Sequence, residues 1–205
     1  MPEPLRGKAV VALRVAHLGS VDEARALIAP LVAAAGTPIV DSLRDMPFAE
    51  VGTIASEPTD PVPSWDRGSL LRSLDDSCVD TIVSLVGEGV ATPLAVVELR
   101  HAGGALGREP LVPNAVGGRD AAFTLNAVGA LLPHLRDAVP AAGEHLLAAV
   151  RPWGTGGTQA NLLGWASDAA AVRSAWAPDT YRRLARLKAA WDPQDVFRTG
   201  HVVRP

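Results

Sequence analysis

The order of predicted elements places this chain in the α+β class, as a mostly antiparallel β-sheet with helices packed on one face. Two patterns carry that prediction. Apolar residues alternate with polar ones through 95–101 and 123–131, the period of a half-buried strand. Elsewhere they recur three or four apart, as in Tyr181, Leu184, Leu187 and Trp191, the stripe of an amphipathic helix in which Leu184, Leu187 and Trp191 are expected to be buried and Arg183 and Arg186 exposed. The elements do not alternate as βαβ units, which argues against a parallel sheet. With 205 residues, 48% of them hydrophobic and only 4% aromatic, residues 1–205 suffice for a single domain with a core of Ala, Val and Leu.

In chain order, residues 9–18 read as a strand with Arg14 on one face. Ser20 followed by Glu23 spells a capping box for a helix that runs to Ala35 and stops at Gly36. A second strand is expected at 38–43 and a helical turn at 47–52. Pro58, Pro61 and Pro63 make 57–64 a loop, the best candidate for a mobile segment. Then come a strand at 67–74, a helix at 75–86 with acidic residues in its first turn, and strands at 93–101 and 123–131. Residues 133–150 are mostly helical, with a break or restart expected at Pro140 and Gly143. A short strand is expected at 158–163, then helices at 167–175 and 178–191, the last ended by Pro193, with Val196 and Phe197 expected to anchor the turn after it.

Composition excludes several function classes. Net charge is -3 and the basic residues are scattered, so no nucleic acid partner is indicated. The lone Cys78 permits no internal disulfide and reads as a buried small hydrophobe. The five histidines lack metal-ligand spacing, no G-x-S-x-G occurs, and the glycines of 154–157 lack the G-x-x-x-x-G-K phosphate-loop pattern. Residues 1–8 have no apolar signal-peptide core, and no apolar run approaches the ~20 residues of a membrane span. A soluble, cytoplasmic protein without membrane contact is expected.

Trp191-Asp192-Pro193-Gln194-Asp195-Val196-Phe197-Arg198, at the end of the last predicted helix, resembles the closing signature of the berberine-bridge-enzyme-like flavin oxidases. Further upstream, Glu98-Leu99-Arg100-His101-Ala102-Gly103-Gly104 is similar to that family's strand ending in a Gly-Gly turn. Arg119 to Asn126 is similar to its next strand, and Gly156 to Gly164 to its "Y-x-N-F" segment. The resemblance covers nearly the whole chain but only the C-terminal, substrate-binding half of the family's proteins. The N-terminal half, which binds FAD, has no counterpart here. The resemblance implies an antiparallel sheet whose open face covers the flavin ring, and a segment 161–205 that folds back on the flavin domain. Two departures stand out. Gln159 occupies the place of the family's Tyr, and Gly200-His201-Val202 stands where the family has "N-x-N". His201 reads as a tail residue.

If helices bury one sheet face, polar residues on the other need a role. Alternation puts Glu98 with Arg100, Thr124 with Asn126, and Gln159 with Asn161 on that face, and Arg14 joins from the first strand. The resemblance implies that this floor orients a small substrate over flavin, with Glu98 as base and Arg100 beside it as the catalytic pair. The other reading of these residues is a solvated sheet face. Three functions follow. One is the substrate-binding half of an FAD-linked oxidoreductase of secondary metabolism, acting with a separate FAD-binding partner because this chain alone does not enclose a flavin. The second is a cofactor-free cyclase or isomerase, and the third a non-catalytic binding or scaffold protein. A sheet face stripped of its cover is expected to be buried by a partner or in a homodimer.

Overall fold

The computed structural model describes residues 8–55, 60–166 and 168–204. The chain divides into two compact units, Met1–Pro61 and Val62–Pro205. In the first, helix α1 spans Val21–Ala35. The Ser20 hydroxyl accepts the Glu23 N–H, and the Glu23 carboxylate accepts the Ser20 N–H at 2.8 Å, the reciprocal cap that the sequence spells. Gly36 ends the helix at φ 79°. Pro30 lies inside it and leaves the Ala26 carbonyl without its helical donor. A 3₁₀ turn at Phe48–Glu50 and the short helix α2, Gly52–Ala55, follow.

The strands expected at 9–18 and 38–43 do not form. A strand's N–H and C=O groups need a neighbouring strand, and the described part of this unit supplies none. At 38–43 local bonding wins, because the Asp41 carboxylate accepts both the Leu43 N–H and the Arg25 guanidinium. Of the loop expected at 57–64, residues 57–59 lie outside the described residues, as do residues 1–7 of the N-terminal stretch.

The second unit contains β1 (Ser64–Leu71), α3 (Asp76–Val86), β2 (Val96–His101), β3 (Phe123–Ala130) and α4 (Ala138–Ala149). Two 3₁₀ turns, Arg151–Trp153 and Ala160–Leu162, precede α5 (Ala169–Arg173) and α6 (Pro178–Trp191). The sheet has the order β1-β3-β2 and both pairings are antiparallel. The fold is α+β, as expected from the sequence.

Alternation divides the sheet into two faces. Trp65 and Leu71 of β1, Leu125 and Ala127 of β3, and Val97 of β2 point to one side. There they pack with Cys78 and Ile82 of α3 and with Val139 and Leu146 of α4 in the main core. Burial pushes the Cys78 thiol up, which suits an inert core residue. Asp75 fixes the start of α3 by accepting the Cys78 N–H, and its second oxygen accepts the Trp153 indole N–H at 3.0 Å.

α4 is unbroken. Pro140 is its third residue, where no helical N–H partner is required. Gly143 is buried because a Cβ there would lie 2.0 Å from the Trp65 ring. The glycine is thus a socket for the core tryptophan and not a break in the helix. Pro93 falls outside β2, which starts only at Val96. β1 starts three residues earlier than its apolar run predicts and ends at Leu71.

The strand expected at 158–163 is absent. The Thr158 hydroxyl donates to the Gly68 carbonyl at 3.1 Å, and the Leu162 N–H bonds back to the Gln159 carbonyl, which curls the segment into its 3₁₀ turn against β1. In α6 the apolar stripe is only partly used. Tyr181 is buried and Leu184 half-buried, but Leu187 is 44% and Trp191 84% exposed, against the expectation that Leu187 and Trp191 are core. Arg183 and Arg186 are exposed, as expected. Nor do Val196 and Phe197 anchor the turn after α6, since both are exposed.

Candidate functional site: the polar face of the sheet

The face opposite α3 and α4 carries the polar residues of β2 and β3. Register sets Glu98 directly across from Asn126, and Arg100 directly across from Thr124. Directly opposed side chains in an antiparallel pair have Cβ atoms about 4.5–5.5 Å apart, so these four form one cluster. The Arg100 guanidinium donates to Glu98 Oε2 at 2.6 Å, a charge-assisted bond along a single strand face. Glu98 is the more sheltered partner, at 21% side-chain exposure against 56% for Arg100.

On the far side of Asn126 the register partner is Gly68. A side chain there would strike Leu162, whose Cβ lies 2.9 Å from the position a Gly68 Cβ would take. The 3₁₀ turn Ala160–Leu162 therefore covers the β1 end of this face. On this face Thr124 is buried, and the Asn126 Oδ1 is buried with no hydrogen-bond partner among the described residues. An unmet buried acceptor costs about 1–3 kcal/mol, which marks Asn126 as a polar group placed for something besides stability.

Four of the seven predicted site residues are therefore brought together: Glu98, Arg100, Thr124 and Asn126. Gln159, Asn161 and Arg14 do not share that strand register. Without a strand at 158–163, Gln159 and Asn161 share no strand face; Gln159 is half-buried at the entry to the turn and Asn161 is exposed within it. Arg14 is exposed in the first unit, in a stretch without regular structure, so no strand alternation aligns it with the others.

The closing signature has a clear structural logic. The Asp192 carboxylate accepts the Val196 N–H at 2.7 Å and the Phe197 N–H at 3.0 Å, and also the Lys188 ammonium one helical turn back. Lys188 also donates to the Phe197 carbonyl and pairs with Asp195 at 2.9 Å. One carboxylate thus closes the turn that Pro193 forces, and the Lys188 bond holds it well below the usual carboxylate range. The same bond raises the Lys188 pKa.

Sequence reasoning missed a second feature, a cleft of about 440 Å³ between residues 164–166, α5, Tyr181 and the C-terminal residues 200–204. His201, expected to be a loose tail residue, donates from Nε2 to the Gly164 carbonyl at 2.8 Å. The Tyr181 hydroxyl bonds both the N–H and the carbonyl of Arg204 at 3.2 Å. Nothing in the spacing of these residues announces the site, because folding alone brings them together.

Residues 163–204 match the family described as "Berberine and berberine like". No curated protein matches the chain. Among solved structures, wild-type BBE-like 1 of Physcomitrella patens is similar with a TM-score of 0.69 and 15% identity, over 92% of this chain and 43% of that one. The 6-hydroxy-D-nicotine oxidase of Arthrobacter nicotinovorans gives 0.68 and 21%, over 92% and 43%. A carbohydrate oxidase of Microdochium nivale gives 0.62 and 18%, over 90% and 43%. The chain thus spans well under half the length of the structures it resembles. The signature read from the sequence is found, and the fold is that of the matching part of BBE-like oxidases. Among the described residues, no helix is long and apolar enough to cross a membrane.

Proposed function

We propose that this chain is the substrate-binding part of a berberine-bridge-enzyme-like FAD-linked oxidoreductase acting on a small organic molecule of secondary metabolism. The flavin-binding part comes from polypeptide outside these 205 residues. The observation that carries the reading is the registered quartet Glu98–Asn126 and Arg100–Thr124, on the one sheet face that α3 and α4 leave open. The family match of residues 163–204 supports it.

The residues present fit one wall of a flavin site. The Asn126 Oδ1, which has no partner among the described residues, can accept from a donor outside the chain, and its broad χ2 well lets it turn outward to meet one. The residues do not fit a whole flavin site. In the glycine-rich loop after α4, the N–H groups of Gly154, Thr155 and Gly157 are spent on Arg151, Leu70 and the Thr155 hydroxyl, so no cradle for a pyrophosphate remains there.

When bound, the flavin supplies the hydride acceptor. This chain supplies orientation and the proton acceptor. Glu98 takes the proton from a substrate O–H or N–H, Arg100 holds the Glu98 carboxylate in place, and Asn126 and Thr124 fix the substrate's polar groups. The test is anaerobic reduction of the flavin-loaded assembly of this chain with its flavin-binding polypeptide, by a substrate first found in a screen of alcohols, sugars and amines. Glu98→Gln keeps the size of the side chain and removes the base, and is expected to slow reduction by about 10²–10⁴-fold with the flavin spectrum unchanged. An unchanged rate would remove Glu98 from the mechanism.

A further inference from the structure

The cleft between 164–166, α5, Tyr181 and the tail lies outside the sheet-face site and has its own chemistry. Its volume of about 440 Å³ is that of a small-molecule pocket. None of its described lining residues is an acid, whereas Arg173, His201 and Arg204 all line it. The carboxylate paired with Arg204, Asp195 at 3.8 Å, is already shared with Lys188 at 2.9 Å. The cleft is therefore electropositive, and its remaining walls, including Trp165, Ala166 and Val172, are apolar.

The cationic groups are also held in place. The Arg173 guanidinium lies 5.4 Å from the centroid of the Tyr181 ring. Stacking of this kind leaves the planar fork of N–H donors free for an oxyanion, and Arg173 has no ion pair among the described residues. Tyr181 cannot swing away, because its hydroxyl is tied to both backbone groups of Arg204. His201 commits Nε2–H to the Gly164 carbonyl, which fixes the ring at the rim.

We propose that this cleft binds a small organic anion: a carboxylate on an aromatic or branched apolar body. Arg173 grips the carboxylate, and Trp165 and Val172 receive the body. None of Glu98, Arg100, Thr124 or Asn126 lines the cleft, so each reading can fail without the other; the cleft lies in the segment that the family resemblance places against a flavin domain, and it is tested on these 205 residues alone. Benzoate is the probe, titrated against the purified protein by calorimetry, with benzyl alcohol and inorganic phosphate in parallel.

Benzoate should bind at least about tenfold more tightly than either comparison compound, since charge-assisted bonds and apolar burial each contribute a factor of that order. Arg173→Gln, at an exposed position that leaves the core untouched, should weaken benzoate by about tenfold or more, and Arg173→Lys by less. Benzoate bound no better than benzyl alcohol, or equally by Arg173→Gln, would overturn the site. Phosphate bound as tightly as benzoate would overturn the apolar part of the ligand class.

Discussion

Asp192 shows how much one side chain of the closing signature does. Its carboxylate closes the turn after α6 with two backbone N–H groups and holds Lys188. Because its pKa is lowered in the folded chain, first by the Lys188 bond, the folded state binds fewer protons there than the unfolded state. The stabilisation is therefore present above the ordinary aspartate value of about 3.9 and is lost as pH falls through the lower folded value. Lys188 runs the other way. Its raised pKa, due first to Asp192, gives stabilisation that is complete below about 10.4 and is lost as pH rises through the higher folded value. Urea midpoints of the native protein and of Asp192→Asn should differ most between about pH 5 and 9 and converge as pH falls through the lowered folded value of Asp192. A difference independent of pH would show that the carboxylate acts without its charge. The role of Asp192 as the turn's anchor could not be read from the sequence, which suggested Val196 and Phe197. A Pro turn beside two large apolar residues looks like a hydrophobic anchor until the hydrogen bonds are seen.

Among the elements, the two tryptophans Trp65 and Trp191 make opposite tests. Trp65 is in the main core, 4% exposed, with its ring seated over Gly143. Trp65→Ala is expected to cost about 3–5 kcal/mol, and Gly143→Ala about 1–3 kcal/mol by overpacking. Trp191, 84% exposed at the end of α6, should tolerate alanine within about 0.5 kcal/mol. Denaturant midpoints decide both, and a large loss at Trp191 would mean that the end of α6 is docked. The contrast explains what was legible. β3 and α3 follow from local period because their alternation or stripe matches what they bury, β2 follows from its alternation alone, and α1 follows from its cap although only Ala24 of it is buried. β1 is anchored by a tryptophan whose socket lies in α4, 78 residues away, and no local pattern marks that pairing. The strands expected at 9–18, 38–43 and 158–163 have the right composition but no partner. In each case the backbone turned to local bonds or stayed irregular, which a period-2 pattern cannot foresee.

For the chain as a whole, the open polar face is the feature to explain. Glu98, Arg100, Thr124 and Asn126 were legible as a group because period-2 alternation on two neighbouring strands is enough to align them. Gln159, Asn161 and Arg14 were misplaced with the strands that failed to form. The same face carries the exposed Val96, and in the proposed assembly a flavin-bearing polypeptide covers it. Without that polypeptide the chain is expected to cover the face with a second copy. Light scattering should report a dimer at high micromolar concentration, reduced by Val96→Lys; a clean monomer would leave the face solvated.

The central claim is that this chain completes a flavin enzyme without enclosing the flavin itself. The most direct measurement is the visible absorption spectrum of the purified 205-residue chain, taken alone and then co-purified with the polypeptide that supplies the flavin-binding part, FAD being present in both. The account predicts a colourless chain alone and the two bands of an oxidised flavin in the assembly. A colourless assembly, or a stoichiometric flavin bound by these 205 residues alone, would contradict it.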